Sequence, residues 1–597
     1  MAHQLFNSKQ SQYQAQFEYH DKRFKAFSLF RGLTFIAGAY LIISYFQTDR
    51  MIYLASFIAS SLLFYALVMK YRAHHKARKF AGMLSTINEE ELLRLDLKLE
   101  HFPPGKEYQD DHHPYTTDLD VFGNHSLFQL LNRTSLTDAR ELLAGWMQKT
   151  VSATTILERQ STIKALTPNI DWLQKFQAIS RLMTLQKKKN KPQLNAEHLA
   201  TWTSLPTSFH SRRKILFALG VLGVLSTLIT SLLIFSGGYP YQIIYLSVVF
   251  NILLLSTVIR SLTVQSKGLD EADYLVKSYK GLIAHILTTP AQNGRVAQIR
   301  QQLEHSKALA AINELQAITA RINTRANIFF ILLDVLFVLD VFILLRLEKW
   351  KILHRDELNE WLDLVHETEA YVSLAAHAAA NSEDTYPSVT EQWNISAQQL
   401  KHPLMHPHQA VSNEFDINQQ GSLDIITGSN MSGKSTFQRT LGTNLLLGHL
   451  GLPTKSKSLT FKPLQIFTSM RTRDNLSENT SSFYAELKRL QHLLQLLKGG
   501  NEVCYLLDEI LKGTNSQDRH IGAVGLIEKL VNTTSMGLIS THDLALAKIA
   551  EQDERIRNFS FNSSIEGSKI HFDYKLTPGA CKSFNAAQLM KNMGILN

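Results

Sequence analysis

The chain has 597 residues, of which 45% are hydrophobic and 19% charged, and it contains no long low-complexity or collagen-like segment. This composition excludes a fibrous protein and is sufficient for several domains with buried cores. The formal net charge of +10 suits either nucleic acid or the anionic inner leaflet of a membrane, and charge alone does not choose between them. The two cysteines, Cys504 and Cys581, lie far apart in sequence, which is typical of a reducing compartment.

Four apolar stretches are long enough to cross a bilayer, which requires about 20 residues. The predicted spans are 26–46, 51–69, 215–235 and 241–259. Lys and Arg residues precede and follow each pair of spans, whereas the connection 236–240 carries no charge. Because cytoplasmic loops carry the excess of positive charge, the sequence predicts two membrane hairpins in the cytoplasmic (inner) membrane, with both termini and the soluble segments in the cytoplasm. Buried core helices are the alternative interpretation.

A fifth apolar stretch covers residues 326–345 and contains Asp334 and Asp340. Each carboxylate in lipid costs about 2.5–3.5 kcal/mol on the insertion scale. A fifth span would also move the carboxy-terminal half of the chain to the opposite side of the membrane. We therefore expect a long helix buried inside the soluble core.

Residues 428–436, Gly-Ser-Asn-Met-Ser-Gly-Lys-Ser-Thr, follow an apolar run typical of a buried strand and precede the start of a helix. A G-x-x-x-x-G-K-[ST] string in that context predicts a loop that wraps phosphate groups. The helix start offers unpaired N–H groups to the anion. Lys434 is expected at the β- and γ-phosphates of ATP and Ser435 on Mg²⁺. The residues expected to bind the nucleotide in this loop are Gly428, Asn430, Met431, Gly433, Lys434, Ser435 and Thr436.

Two further strand-like runs end in polar residues that suit the same chemistry. Residues 503–509 end in Asp508 and Glu509, where Asp508 is placed to hold Mg²⁺ and Glu509 to orient or deprotonate the attacking water. Residues 536–541 are followed by His542, which is predicted to contact the γ-phosphate or the water. The sequence thus predicts an ATPase with ATP and Mg²⁺ as its ligands.

The amino-acid sequences of these motifs resemble those of the MutS mismatch-repair ATPases. The resemblance rests on residues 426–436 (ITGSNMSGKST), 508–518 (DEILKGTNSQD), 540–542 (STH) and 474–486 (DNLSENTSSFYAE). It implies that Ser481 reaches the γ-phosphate of the opposite subunit, and therefore a homodimer with composite sites. It also implies that Asn413 lies on the adenine side, where Val411 replaces a frequent aromatic residue. Residues 126–134 and 139–146 are similar to the start of the helical core of the family.

The expected fold is an α/β P-loop NTPase domain at 386–597, preceded by an all-α core and lever domain and by the two membrane hairpins. The predicted divisions are a first hairpin at 1–80, core segments at 81–205 and 266–385, and a second hairpin at 206–265. Relative to the family, we expect the mismatch-reading domain to be replaced by the first hairpin and the DNA clamp by the second. The carboxy-terminal dimerisation region is expected to be short or absent.

Three functions remain open at this point. The first is a membrane-anchored, dimeric MutS-like ATPase coupled to DNA in a process resembling mismatch repair. The second is a membrane-side mechanochemical or scaffold ATPase that does not bind DNA; the sequence does not identify its protein partners. The third is a transporter ATPase, which is disfavoured because the chain has no LSGGQ-like signature and because the four predicted spans contain no Asp, Glu, His, Lys or Arg that would mark a pathway, apart from Arg31 near the start of the first span.

Overall fold

The amino-terminal part of the chain is helical, and the carboxy-terminal part combines helices with two sheets. This is the order that the sequence predicts. The computed structural model describes residues 2–185, 201–471, 482–566 and 569–581. Four helices in these ranges are long and apolar enough to cross a membrane, and a pair of helices joined at a sharp bend passes the same test if it is counted as one.

A long helical hairpin opens the chain. Helix α1 is Ala2–Thr48 and helix α2 is Met51–Leu95, so the predicted spans 26–46 and 51–69 are only parts of longer helices. Almost no side chain is buried in the apolar windows of these two helices. Below the apolar windows the helices are joined by polar contacts, including the ion pair between Arg78 and Asp21 at 2.7 Å.

The end of α2 is attached to the helical core by a buried ion pair. Two nitrogens of the Arg133 guanidinium, Nε and Nη2, donate to the two oxygens of the Glu91 carboxylate at 2.7 Å. The remaining guanidinium nitrogen donates to the carbonyls of Leu130 and Leu131 at 2.9 Å. Burial alone would raise the pKa of Glu91, but the positive charge of Arg133 holds it below its usual value. The hairpin and the core are therefore joined by a fully satisfied polar contact.

The core consists of short helices packed around one long helix. Before the second hairpin these are α3 (Leu127–Leu131), α4 (Thr137–Met147), α5 (Ala153–Leu166) and α6 (Ile170–Leu185). After it come α9 (Arg295–His305) and α10 (Ala308–Asn323). Single 3₁₀ turns occur at Leu99–His101, Lys106–Tyr108, His210–Arg212, Tyr241–Ile243, Thr324–Ala326 and Lys548–Glu551.

The second hairpin is formed by α7 (Arg213–Phe235) and α8 (Ile244–Ile286). Its apolar windows, His210–Phe235 and Tyr241–Ser266, are mostly exposed, and they contain the predicted spans 215–235 and 241–259. Helix α8 continues beyond its apolar window into the core, where Leu282 and Ile283 are fully buried. One helix thus connects the apolar hairpin to the core.

The expectation of one long buried helix over 326–345 is wrong. The segment forms two helices, α11 (Ile328–Phe337) and α12 (Leu339–Ala380), whose axes meet at 87°. The bend is at Val338, which adopts a left-handed conformation with φ of 45°. None of the α11 residues is buried. Apolar composition indicated the helix but did not reveal the bend, which depends on tertiary contacts.

The long helix α12 has 42 residues and leads directly into the α/β part. That part has a four-stranded sheet of order β1-β5-β2-β3 and a six-stranded sheet of order β10-β9-β4-β8-β7-β6. The strands are β1 Ser388–Val389, β2 Ile395–Leu400, β3 Asn413–Ile417, β4 Leu423–Gly428, β5 Ser458–Phe461, β6 Gln465–Ser469, β7 Val503–Asp508, β8 Met536–Thr541, β9 Ile556–Glu566 and β10 Lys569–Pro578. The accompanying helices are α13 Lys434–His449, α14 Ser482–Lys498, α15 Ser516–Val531 and α16 Leu544–Ala547.

In the larger sheet β4, β6, β7, β8 and β9 run parallel, and only β10 is antiparallel to its neighbour. The register pairs Thr427 with Thr541 and Asp508 with Ser540. The carboxyl ends of β4, β7 and β8 therefore lie side by side at one edge, which is where parallel α/β sheets bind ligands.

The buried pair between Glu91 and Arg133 predicts a large effect of a small change. Glu91→Gln removes one charge and leaves the other buried, so we expect the free energy of unfolding to fall by about 3–5 kcal/mol. Glu90→Gln is the matched control, because Glu90 pairs with Arg181 at 2.7 Å in a partly exposed position, where a pair contributes about 0–1 kcal/mol. Thermal unfolding of both variants in detergent measures the difference. Equal midpoints would contradict the prediction.

Candidate functional site

The loop 428–436 joins a fully buried strand, β4, to helix α13. Gly428 must be glycine, because a Cβ there would lie 2.7 Å from the Phe561 carbonyl oxygen. Gly433 ends the loop with φ of 110°, a conformation that suits glycine. Asn430, Met431 and Thr436 are exposed at the rim, with Met431 86% exposed. The loop therefore presents its backbone to a concave surface without side chains in the way.

Lys434 is the buried cation of this loop. Its Nζ donates to the carbonyl oxygens of Gly428 at 2.9 Å and Ser429 at 3.0 Å, and it lies 3.8 Å from Glu509 Oε1. Burial lowers its pKa. Within the described ranges, the buried hydroxyls of Ser429 and Ser432 have no hydrogen-bond partner. A cation and two unpaired hydroxyls in one loop are the groups that an anion with several oxygens would satisfy.

Ser435 and Asp508 bring oxygen atoms together beside this loop. Ser435 Oγ donates to Asp508 Oδ2 at 2.5 Å, and Ser540 Oγ donates to the other oxygen of the same carboxylate. Mg²⁺ is held by one or two carboxylates together with substrate phosphates and water, so this donor set fits it. No group of three or more metal-ligating His, Cys, Asp or Glu side chains occurs in the part of the chain that the structure describes. The described side chains alone therefore do not form a metal site, and phosphate oxygens would have to complete it.

Glu509 is held by two neighbours. His542 Nε2 lies 2.5 Å from its Oε1, and Lys512 Nζ lies 2.8 Å from its Oε2. The hydrogen bond from His542 is the largest cause that lowers the pKa of Glu509 to about 2. The backbone of Glu509 is in the left-handed region, with φ of 47°; this conformation is uncommon outside glycine and frequent at functional sites. The carboxylate is therefore charged and fixed directly beside Lys434.

A cavity of about 620 Å³ lies over the loop, within the range of small-molecule sites. Asn430, Met431, Gly433, Lys434, Ser435, Thr436, Glu509 and Asn413 line it, together with Val411 and His402. Burial lowers the pKa of His402 to about 4, so the cavity wall there is neutral. The Asn413 amide is already occupied: it donates to the Tyr574 carbonyl at 3.0 Å and accepts from Leu576 N–H at 2.8 Å. Asn413 thus ties β3 to β10 at the cavity wall.

Ser481 lies outside the described residues, between β6 and α14. The sequence analysis missed the group that fixes the end of β6. Asp118 accepts hydrogen bonds from Thr468 Oγ1 at 2.7 Å and from the N–H groups of Met470 and Arg471 at 3.1 Å. Gln438 was also missed; it donates to the Leu507 carbonyl at 2.9 Å. Its spacing of four residues from Lys434 was the available signal, whereas nothing local marked Asp118.

Residues 424–595 match the family model of MutS domain V. The chain is 28% identical over 246 residues to the DNA mismatch repair protein MutS of Thermotoga maritima, which is 40% of this chain and 30% of that protein. It is 28% identical over 236 residues to the protein of the same name from Methanosarcina mazei, covering 38% of this chain and 26% of the relative. The chain therefore spans less than a third of the length of the curated relatives it matches. The resemblance in the sequence motifs is confirmed for the carboxy-terminal part.

Proposed function

By its carboxy-terminal domain this chain belongs to the MutS family, and we propose that it binds ATP with Mg²⁺ in the 620 Å³ cavity and hydrolyses it. One observation carries the proposal. Lys434, Ser435 and Asp508 meet Glu509 and His542 at the same sheet edge, within direct contact of one another. A buried cation, an oxygen donor set and a charged carboxylate in that order are what phosphoryl transfer to water requires.

We assign binding to the loop 428–436. Its N–H groups, from Gly428 to Thr436, and the unpaired hydroxyls of Ser429 and Ser432 would surround the phosphates. Lys434 would exchange its two carbonyl acceptors for phosphate oxygens, which are stronger acceptors because they are charged. Ser435 and Asp508 would hold Mg²⁺, which supplies neutralising charge to the bridging oxygens of the nucleotide when bound. Asn413 and Val411 form the wall on the side of the base.

Glu509 would orient the water that attacks the γ-phosphorus. A carboxylate with a pKa of about 2 is a weak base, so its hydrogen bond from His542 has to be exchanged for one from water. Loss of the hydrogen bond that lowers the pKa most raises it toward the usual range, where proton acceptance is more efficient. As the new P–O bond forms and the bond to the leaving diphosphate breaks, the water proton passes to Glu509. His542, after losing its hydrogen bond to Glu509, would then face the γ-phosphate.

We propose that two copies form two composite sites, with Ser481 of each contributing to the site of the other. The support is the resemblance of 474–486 to the MutS loop that acts in this way, and the placement of the flanking β6 and α14 beside the site. Asp118 fixes the end of β6 that leads into this segment. Dimer formation would therefore complete a site that one copy leaves without its Ser481 contact.

We propose that α1, α2, α7 and α8 cross the cytoplasmic membrane. At most 22% of each apolar window is buried, and water-exposed apolar surface of that extent is costly. Lys and Arg residues flank the same ends of both hairpins, which supports a cytoplasmic location for the core and the ATP site. DNA is the macromolecular partner that we propose, because the relatives named above are DNA mismatch repair proteins and the net charge is +10.

A second candidate is an ATPase at the membrane that does not bind DNA. The observation that favours it is the extent of the match, which covers 40% of this chain, with the family model on residues 424–595, after both apolar hairpins. The two candidates share the ATP site and differ only in the partner. They are separated by the third prediction below.

Lys434→Ala is expected to weaken ATP binding by about 100-fold, because the change removes charged hydrogen bonds worth about 3 kcal/mol. Lys462→Ala is the matched control; Lys462 pairs with Glu502 on the surface and should leave affinity unchanged. Titration with a fluorescent ATP analogue measures both. Unchanged affinity in the Lys434 variant would refute the assignment of the loop.

Glu509→Gln is expected to keep ATP binding and to lower turnover by about 100-fold or more, the usual size of a general-base effect. Glu502→Gln, just before the same strand β7, is the control. Mixing a Ser481→Ala variant with Lys434→Ala should restore part of the activity, because one site of the mixed dimer then has both residues. Turnover of Glu509→Gln at the wild-type rate would contradict the role of Glu509 as the base. An absence of regained activity on mixing would contradict the shared site.

DNA binding by the detergent-solubilised protein is expected with ATP at low salt. The affinity should fall steeply as salt rises, because phosphate contacts release counterions. Fluorescence anisotropy of a labelled duplex over a salt series measures this, with a duplex containing one mismatch in parallel. Absence of binding at low salt with ATP would reject DNA as the partner and leave the second candidate.

A further inference from the structure

Helix α11 is a short, almost wholly apolar helix with no buried residue. Ile328, Phe329 and Leu332 are 66%, 72% and 58% exposed. Its surface continues the exposed apolar surface of α7 and α8, against which it packs. We propose that α11 and the first turns of α12 form a re-entrant membrane segment, inserted among lipid acyl chains from the cytoplasmic side without crossing. This inference rests on the membrane placement of α7 and α8 in the proposed function.

The length of α11 fits half a bilayer. Its ten residues extend about 15 Å at 1.5 Å per residue, whereas the hydrocarbon core is about 30 Å thick. A helix of this length cannot cross alone. The 87° bend at Val338 turns the chain toward the core along α12 instead of continuing outward.

The depth of the bend follows from its contacts with the second hairpin. Val338 is fully buried and packs against α7 at Gly223. A Cβ added to Gly223 would lie 3.4 Å from Val338 Cγ2 and 2.5 Å from Asn251 Oδ1. Asn251 lies roughly ten residues, or about 15 Å, into the apolar window Tyr241–Ser266. The bend is therefore near the middle of the span formed by α8.

The carbonyl groups that end α11 are satisfied by protein atoms. Asn251 Nδ2 donates to the carbonyl oxygens of Val335 at 3.0 Å and Leu336 at 3.1 Å, which end α11. In hydrocarbon an unpaired carbonyl costs several kcal/mol, and a helix end at that depth is tolerated only where protein satisfies it. The buried side chain of Asn251, on the neighbouring helix α8, meets this requirement.

Each of the two carboxylates that argued against a membrane location has a hydrogen-bond partner on one oxygen, whereas Asp340 Oδ1 is buried without one. Asp334 Oδ1 accepts the Asp340 N–H at 2.8 Å, and Asp340 Oδ2 accepts from Arg325 Nη2 at 2.7 Å. Pairing lowers the cost of placing these groups at the bilayer. A re-entrant segment enters and leaves on one side, so the ATP site remains cytoplasmic. Both objections raised by the sequence are thereby met.

Three single cysteines carrying a nitroxide label test the proposal in the full chain reconstituted in phosphatidylcholine–phosphatidylglycerol vesicles. The positions are Leu332→Cys on α11, Leu232→Cys on the exposed face of α7, and Gln301→Cys on the exposed face of α9; the native cysteines are buried. Relaxation by oxygen, which concentrates in lipid, is compared with relaxation by a water-soluble nickel complex. We expect the oxygen effect to dominate at 332 and 232, and the nickel effect at 301.

Each other outcome has a definite meaning. Nickel dominance at 332 with oxygen dominance at 232 overturns the re-entrant helix and leaves the membrane placement intact. Nickel dominance at both positions overturns both. Protection of 332 from both reagents shows that protein, such as a second copy, covers α11 and also overturns the proposal. In an Asn251→Leu background the 332 label should lose oxygen exposure while 232 keeps it; an unchanged 332 label would refute the role of Asn251.

Discussion

The buried length of helix α12 is the constraint on which the rest of the structure depends. Its carboxy-terminal half is almost entirely enclosed, and it carries a carboxylate, Glu369, into the core. Glu369 accepts from the N–H groups of Ser135 and Leu136 at 3.0 and 3.2 Å and from Ser180 Oγ at 2.5 Å. Burial raises the pKa of Glu369 even so. The first helices of the core thus take their positions from one side chain on α12.

The site depends on the same core through a second acidic residue. Asp118 precedes the short helices and fixes the end of β6 through three hydrogen bonds. The opposite end of α12 lies at the second hairpin, where Glu348 accepts from the N–H of Ser208 at 2.7 Å. Helix α12 thus has side-chain contacts near both the second hairpin and the first helices of the core.

The sequence was most informative where chemistry is local. The loop 428–436 and the acidic end of β7 have motifs in which each residue type is required by its own contact, and residues 424–595 match the model of MutS domain V, the family that these motifs resemble. Apolar composition likewise located four helices that are long enough to span a membrane. The bend at Val338 could not be predicted, because it depends on Asn251, about 90 residues away in the chain. Asp118 was missed for the same reason, since its partners are about 350 residues away.

The two hairpins have a geometric consequence for assembly. The body of the protein is attached to them at separate places, at Glu91 on α2 and along α8. In the proposed membrane arrangement, its orientation about the membrane normal relative to the anchors is therefore fixed. A body on a single tether could approach another copy in any orientation. Two copies held in this way in one membrane can be related only by a rotation axis perpendicular to the bilayer. Their nucleotide sites would therefore meet by diffusion and rotation in the plane of the bilayer, without a search over all orientations in three dimensions.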